Sequence, residues 1–296
     1  TRMAGDLTAH HRGTTPNQVS DTHLGQAHIH PRHDRRTILN TQHPTTPHDQ
    51  PPNSITATRK LLTPYDTAVF KELTKIEVSL RAIIGYEIGE VDPLLHLTAT
   101  SLNERAWNSA EQKEKRLYKD WKRRYQNSLK NSTETFVQHH VENYGGTLPI
   151  WCAVHILDWG SLQTLFSMLP KEIRRPIAAK LRLTPSVLDS WLNCLRVIRN
   201  ISAHHSRFFN RSLSNTPTIP HNASEIGIMG LSEAKNKCFD QLTLIQYLTC
   251  TMGLGDGTAL PSVLATFPAT DVVPLRATGT PDNWQSLPLW ACEPTT

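Results

Sequence analysis

The stretch that decides the fold class is TPSVLDSWLNCLRVIRNISAHHSR, residues 184–207. Thr184 followed by Pro185 predicts a helix start, because a threonine hydroxyl caps free backbone amides and proline suits the first helical position. We predict a helix from there to about His205 or Arg207. At about 100° per residue, one side of this helix is largely apolar and must face a core. The apolar stripe consists of Leu188, Trp191, Leu192, Leu195, Ile198 and Ser202.

A second, polar stripe lies roughly 110° round the same helix. It consists of Arg196, Arg199, Asn200, Ala203, His204 and Arg207. Cleaving RNA without a metal needs a group that transfers protons near neutral pH, and imidazole does this best. Guanidinium and amide groups can donate hydrogen bonds to phosphoryl oxygens. We therefore predict Arg199, Asn200 and His204 as catalytic residues, with Arg196 and Arg207 as RNA contacts.

Most of these residues also have a purely structural interpretation. His204 is favourable near a helix C-terminus through the helix dipole alone, and His205 projects to a different side of the helix. Arg207 and Arg211 can cap carbonyl groups as readily as they can bind RNA. Asn200 has a low helix propensity in mid-helix, which favours a functional role.

Nearer the N-terminus, apolar residues at three- and four-residue spacing predict an amphipathic helix over Asp66 to Gly89. Glu77 and Arg81 lie four residues apart on it, with the acid first, which is the order that favours an ion pair. Two interpretations of the pair stay open. It is either a structural salt bridge or a support for the polar stripe.

A strongly basic helix is predicted at roughly 110–130. It contains eight basic residues, three acidic ones and an apolar face of Leu117, Tyr118, Trp121 and Tyr125. Cations interleaved with aromatic residues suit an RNA surface, because the cations neutralise phosphates and the rings stack on bases. The RNA contacts would be Lys119, Lys122 and Arg123. In the alternative interpretation the aromatic residues belong to the core and the cations face solvent.

The remaining pattern predicts an all-α protein in three parts. Further helices are expected at about 133–144, 150–157, 161–168, 171–183, 233–251 and 261–266. Residues 1–60 have six prolines, no Glu and no apolar periodicity, so we predict a disordered tail. A helical domain is expected over residues 61–252. Residues 253–296 are expected to be mostly irregular.

Composition narrows the classes of partner. The net charge of +5 and the pI near 9.0 favour a polyanion. The five cysteines form no CxxC pair, so we expect neither a disulfide framework nor a structural zinc site. Eight of the fifteen histidines fall in the tail without a firm spacing, and we expect no metal and no cofactor. The absence of an export signal and of a long apolar run predicts a cytoplasmic protein without a membrane partner.

The motifs together resemble a known family. Arg199, Asn200 and His204 form an Arg-Asn-x-x-x-His motif similar to the HEPN signature, and the longer string RNISAHHSRFFNR resembles the Abi-like proteins, which are bacterial abortive-infection factors. Further landmarks occur in order: IEVSLR at 76–81, FVQH at 136–139, LPIW at 148–151, WGSL at 159–162, PDNW at 281–284 and LPLW at 287–290. The resemblance extends over about residues 60–292. It departs from the family at the unusual N-terminal tail and at His155, where relatives more often carry Glu.

The resemblance implies a HEPN-like helical bundle that acts as a phage-defence or toxin-like endoribonuclease without a metal. His204 would be the general acid or base, Arg199 the transition-state cation and Asn200 the orienting donor. Cleavage would leave a 2′,3′-cyclic phosphate and a 5′-hydroxyl. Expected partners are RNA, a second copy of the chain in a homodimer, and an antitoxin or guide RNA. Glu77, Arg81 and His139 are supporting residues.

Two other hypotheses compete with the endoribonuclease. In the first, the chain is a non-catalytic module that binds RNA or protein. In the second, it is a metalloenzyme that uses His139, His155 and His204. The metalloenzyme hypothesis is the weaker one, because the sequence has no two-histidine helical pair such as H-E-x-x-H.

Overall fold

The computed structural model describes residues 53–204, 206, 208–268 and 274–291, with side chains from residue 62 onward. This part of the chain is helical and contains one small hairpin, which confirms the all-α prediction. The helices are α1 (Asn53–Gly89), α2 (Arg116–Lys130), α3 (Thr135–Tyr144), α4 (Ile150–Ile156), α5 (Trp159–Met168), α6 (Lys171–Lys180), α7 (Pro185–Ala203), α8 (Cys238–Thr251) and α9 (Ala259–Ala265). The hairpin strands are β1 (Trp107–Asn108) and β2 (Lys113–Glu114).

Helix α1 organises the core, since it packs against every helix from α4 to α9. Its buried side chains are Leu62, Tyr65, Val69, Leu73, Ile76, Leu80, Ile84 and Ile88. They recur every three or four residues, which places them on one side of the helix. Each buried aliphatic side chain of this size contributes about 1.5–3 kcal/mol relative to an exposed one. The predicted amphipathic pattern is therefore the main packing surface of the protein.

The N-terminal boundary of α1 corrects the expectation for the tail. The helix begins at Asn53, so residues 53–60 are helical and not part of a disordered segment. Pro64 lies inside the helix and removes one backbone donor without ending it. Burial of Leu62 and Tyr65 on either side of Pro64 offsets that lost hydrogen bond. Residues 1–52, which make up most of the predicted tail, lie outside the described residues.

Two glycines let α4 approach α1 closely. A Cβ atom at Gly85 would lie 3.2 Å from Cγ2 of Val154, and one at Gly89 would lie 3.0 Å from Cε3 of Trp151. Glycine at these two positions, one helical turn apart, opens a shallow groove in which the α4 side chains sit. This packing fixes the end of α4 against the middle of α1, where Glu77 and Arg81 lie.

The segment before α2 is a hairpin where a helix was predicted. Strands β1 and β2 pair antiparallel, with Trp107 opposite Glu114. The Asn108 side chain accepts the amide of Ala110 at 3.2 Å, and Gln112 adopts a left-handed φ of 47°. These local turn contacts compete with the helix. Helix α2 consequently begins at Arg116 instead of near residue 110.

The aromatic face of α2 belongs to the core, as the structural interpretation proposed. Tyr118, Trp121 and Tyr125 are buried, and Trp121 donates to the Ser161 carbonyl at 2.9 Å. The fully buried His96 ring meets Trp121 and Tyr125 edge-on. Neither ring nitrogen of His96 has a hydrogen-bond partner among the described residues. Burial lowers the pKa of His96 to about 4, so this imidazole is neutral at physiological pH.

The described part of the C-terminal segment has little regular structure, but its aromatic residues are packed. The predicted short helix is present as α9, and the rest of the described segment contains only short 3₁₀ turns. Trp290 stacks on Phe239 of α8 with a centroid distance of 4.9 Å. Helix α8 begins at Cys238 and not near Glu233, because the Asp240 carboxylate accepts the amides of Ser232 and Lys237 at 2.6 and 2.7 Å.

Candidate active site

Helix α7 starts as the sequence predicted and ends earlier. The Thr184 hydroxyl accepts the amide of Val187 at 3.4 Å, and Pro185 occupies the first turn. The last helical residue is Ala203, and the predicted continuation to His205 or Arg207 is not present. His204 is the C-cap, and its amide donates to the Asn200 carbonyl at 3.1 Å. His205 and Arg207 themselves lie outside the described residues.

The buried face of α7 is broader than the predicted stripe. It consists of Val187, Leu188, Trp191, Leu192, Cys194, Leu195, Ile198 and Ile201. Ser202 is half-buried, and within the described part of the chain its hydroxyl has no hydrogen-bond partner. Asn200 and His204 are exposed, whereas Arg196 and Arg199 are half-buried. The helical periodicity therefore separated the core side of α7 from its polar side correctly, but it missed Val187, Cys194 and Ile201.

Glu77 of α1 connects the predicted site to the first-helix motif. Its carboxylate lies 3.4 Å from Nε of Arg199 and 2.5 Å from a terminal nitrogen of Arg81. Arg81 also donates to the carbonyls of Val154 and Leu157, the latter at 2.7 Å. The three charged side chains thus join α1, α7 and the end of α4. We call Glu77, Arg81 and Arg199 the charged cluster.

The geometry of Arg199 leaves part of its guanidinium open. Nε faces Glu77, and the side chain remains 41% exposed. Within the described residues, neither terminal nitrogen of Arg199 makes a hydrogen bond. The glutamate therefore holds the side chain at its base, and the outer donors face solvent where a phosphate could approach. This arrangement favours the supporting role for Glu77 and Arg81 over a simple local ion pair, because the pair reaches a second helix.

Arg196 occupies a neighbouring position on α7. Its guanidinium donates to the Asn193 side chain at 2.9 Å. Its aliphatic part lies above Gly160, where a Cβ atom would come within 3.5 Å of Arg196 Cδ. At the same junction the Asp158 side chain caps α5 by accepting the amide of Ser161 at 2.6 Å, so this helix begins at Trp159 and not at residue 161.

A second group of residues fixes the chain just after His204. Phe208 and Phe209 are fully buried and contact the Tyr65 ring at centroid distances of 6.1 and 6.0 Å. The backbone of Phe208 favours the ionised form of the Asp66 carboxylate, and the Cys238 thiol donates to the Phe208 carbonyl at 3.0 Å. Burial raises the pKa of Asp66 to about 6 and that of Cys238 to about 11. The chain leaves the helix at His204 because these two phenylalanines are drawn into the core.

We call the buried pair Phe208 and Phe209 the Phe208-Phe209 anchor. The sequence did not predict it. Tyr65, Asp66 and Cys238 come from α1 and α8, which are far apart in sequence, and only the apolar Phe208-Phe209 pair was a signal. Two adjacent aromatic residues directly after a basic helix end predict burial, but the sequence does not say against which residues. The anchor matters for the site because it determines where His204 sits.

The cations predicted to contact RNA on α2 line its outer side. Lys122 lies 3.5 Å from Glu114 and above the Tyr118 ring, and Arg123 pairs with Asp120 at 2.9 Å. Lys119 is exposed. Each of these pairs is local in sequence. The structure does not link this surface to the charged cluster by any contact among the described residues.

His139 and His155 do not join the charged cluster. His139 is exposed on α3, and its contacts are with Asn143, His140 and Tyr144 of the same helix. His155 is exposed on α4 and meets Phe136 edge-on. Across the described ranges, no group of three His, Cys, Asp or Glu side chains has a geometry suited to a metal. The same residues include no helix long and apolar enough to cross a membrane.

A comparison with known protein families finds a match over the part of the chain that contains the charged cluster. Residues 65–210 match the family described as Abi-like protein. Over these residues, which are 146 of the 296 in the chain, the sequence is similar to that family. The matched segment begins at Tyr65 and includes the charged cluster, His204 and the Phe208-Phe209 anchor. It is shorter than the expected 60–292, so the PDNW and LPLW motifs lie beyond it. No match was found among curated proteins or among solved structures.

Proposed function

We propose that this protein is a metal-independent endoribonuclease of a phage-defence system that acts by abortive infection. The observation that carries the proposal is the charged cluster. Arg199 is held at its base by Glu77, has free outer donors, and lies on the same exposed helix end as Asn200 and His204. The Abi-like match over residues 65–210 supports the defence role. A cytoplasmic location follows from that role.

The reaction would use the nucleophile that RNA itself supplies. His204 as general base takes the proton of a 2′-hydroxyl, and the oxygen attacks the adjacent phosphorus. The bond from phosphorus to the 5′-oxygen breaks, and that oxygen takes a proton from a general acid. The products are a 2′,3′-cyclic phosphate and a 5′-hydroxyl. Arg199 stabilises the extra negative charge on the phosphoryl oxygens, and Asn200 donates a hydrogen bond that orients the phosphate.

A single chain offers one His204, whereas the reaction needs both a base and an acid. We propose that two copies form a homodimer in which their Arg199–His204 segments meet at one site. One imidazole then acts as base and the other as acid. Such a nuclease must be restrained in its host, and an antitoxin or guide RNA is the class of partner we propose for that role.

The test is incubation of the purified protein with total RNA in EDTA, followed by mapping of the ends. We expect cleavage that persists in EDTA and yields cyclic phosphate and 5′-hydroxyl ends. A His204→Ala protein prepared in parallel controls for a contaminating nuclease. Cleavage that requires a metal, or cleavage that is equal in the two preparations, would contradict the proposal.

One observation favours a second candidate, a non-catalytic module that binds RNA or protein. Glu77 partly neutralises the cation on which the chemistry depends. If this pairing persists when RNA is bound, Arg199 contributes to the affinity for RNA and does not accelerate its cleavage. Binding of RNA by a protein that cuts nothing in the same assay would select this candidate.

A further inference from the structure

A solvent-open cleft lies beside the charged cluster and is not used by the proposed chemistry. It forms between the end of α2, the turn into α3 and the end of α4, and its volume is about 460 Å³. The lining residues that matter are Asn127, Asn131, Ser132, Thr133, Glu134 and His155. The walls are therefore mainly amides and hydroxyls, with one carboxylate and one imidazole.

Most polar side chains that line the cleft are not bonded to other described residues; the exception is Ser132, whose hydroxyl accepts the amide of Glu134 at 3.3 Å. Within the described residues, the side-chain amides of Asn127 and Asn131 make no hydrogen bond, and the Glu134 carboxylate forms no ion pair. The His155 ring contacts Phe136, and neither ring nitrogen makes a hydrogen bond to the part of the chain that the structure describes. Free amides offer both donors and acceptors, and a carboxylate offers acceptors only. Such a set suits the edge of a neutral heterocycle and, because of Glu134, disfavours a phosphate.

Cations surround the cleft on the α2 side. Arg123 and Arg124 are exposed one turn before Asn127, and exposed Lys130 directly precedes Asn131. Phosphates of a single strand can lie along these cations while a base turns into the cleft. The charge outside the cleft and the neutral polar walls inside it therefore match the two parts of a nucleotide.

The last turn of α4 places the cleft next to the charged cluster. The carbonyls of Val154 and Leu157 accept hydrogen bonds from Arg81, which pairs with Glu77. His155 and Ile156, between them in sequence, line the cleft. An α-helix with its side chains is roughly 10–12 Å across. A strand of a few nucleotides is long enough to reach both places.

From this juxtaposition we infer that the cleft binds one guanine base of single-stranded RNA beside the cleavage site and so selects the sequence that is cut. Guanine fits because its pairing edge carries two adjacent N–H donors, which one carboxylate such as Glu134 can accept together. Asn131 would bind the remaining acceptors of the base. The inference rests on the proposed function, because RNA is the ligand class that it names.

The experiment measures binding and cleavage separately. Binding is followed by fluorescence anisotropy with the full chain carrying His204→Ala, which prevents cutting. The probes are a labelled oligouridine and the same strand with one central guanosine. We expect the guanosine strand to bind about 5- to 150-fold more tightly, the range of one bidentate base contact. Glu134→Gln and Asn131→Ala, each added to that chain, should remove the preference and leave oligouridine binding unchanged.

The matched control is Glu142→Gln with Asn143→Ala, two exposed positions at the other end of α3. This control should retain the preference. Equal binding of the two probes, or a preference that survives both cleft substitutions, overturns the inference. Cleavage by the unsubstituted chain is scored in EDTA on the same strands. Cleavage without any guanine preference would contradict guanine binding in the cleft and would still support the nuclease proposal. Guanine-selective binding without cleavage would contradict the nuclease proposal and would still support guanine binding in the cleft.

Discussion

Helices α2 and α7 both carry basic residues on one side and a buried apolar face on the other, yet their cations are held differently. On α7, Arg199 pairs with Glu77 from α1, a residue 122 positions earlier in the sequence. On α2, Arg123 pairs with Asp120 of the same helix. Exposed local pairs contribute about 0–1 kcal/mol and exchange readily with solvent. A cation that pairs with a residue of another helix is held in one position. Catalysis requires such a fixed position, whereas the electrostatic attraction of a polyanion does not.

This contrast predicts that substitutions on α7 lower the rate of RNA cleavage and that substitutions on α2 lower the affinity for RNA. The two buried faces should also respond differently to pH, because α2 packs against His96, whose ring nitrogens have no hydrogen-bond partner among the described residues.

The largest effect is expected for His204→Ala. Loss of a positioned proton-transfer group costs on the order of 10²- to 10⁴-fold in rate. His204 is exposed, so its truncation opens no core cavity and should change stability by about 1 kcal/mol or less. Single-turnover RNA cleavage and thermal melting check the two parts. His221→Ala is the matched control, because His221 is an exposed histidine in a loop. Cleavage by the His204→Ala protein at the wild-type rate would contradict a catalytic role for the α7 residues.

The next effect is expected in the charged cluster. Arg199→Ala should slow cleavage about 10²- to 10³-fold, the usual cost of one group that stabilises transition-state charge. Glu77→Gln should cost less, because Gln keeps the shape and loses only the charge that holds Arg199. The double variant should be no slower than Arg199→Ala alone if Glu77 acts through Arg199. Additive losses would show that Glu77 has a role of its own.

The third effect concerns His96, behind the aromatic face of α2. Its pKa is about 4 in the folded protein and 6.5 without burial. The unfolded chain therefore takes up a proton near pH 6.5 and the folded chain does so only near pH 4, so stability falls as pH drops through this window. The difference corresponds to about 3 kcal/mol.

Urea unfolding at pH 7.5 and at pH 4.5 measures the effect. His96→Phe should remove most of it, because Phe fills the same aromatic site without a titrating group. An unchanged pH dependence in His96→Phe would show that other groups dominate. The raised pKa of Asp66, at about 6, works in the opposite direction. Asp66 protonates in the folded state first and so stabilises the protein as pH falls.

The smallest effect is expected for the outer side of α2. Replacing Lys119, Lys122 and Arg123 with Gln should weaken RNA binding at low salt and leave single-turnover cleavage at saturating RNA unchanged. Each lost phosphate contact should lower the slope of log affinity against log salt by roughly 0.7 for a single strand. The control replaces Lys171, Arg175 and Lys180, three exposed cations of α6. Equal slopes for the two triple variants would assign the α2 cations to a plain solvated face.

Local pattern alone was enough for the elements that depend on local physics. The start of α7 at Thr184-Pro185 and the end of α3 at residue 144 were both predicted, because helix caps and left-handed glycines such as Gly145 act within one turn. The buried side of α1 followed from spacing. The position of Arg199, Asn200 and His204 on the polar side of α7 also followed from helix geometry, whereas their catalytic roles stay a prediction.

Tertiary structure decided the rest, because the relevant partners are distant in sequence. The spacing of Glu77 and Arg81 predicted their pair, but only the packing of α1 against α7 brought Arg199 to the same carboxylate. The end of α7 at Ala203 depends on Phe208 reaching Tyr65 and Cys238, contacts that no helical wheel contains. Periodicity reports which side of a helix is buried. It carries no information about which other helix covers that side, and for this protein the site depends on that choice.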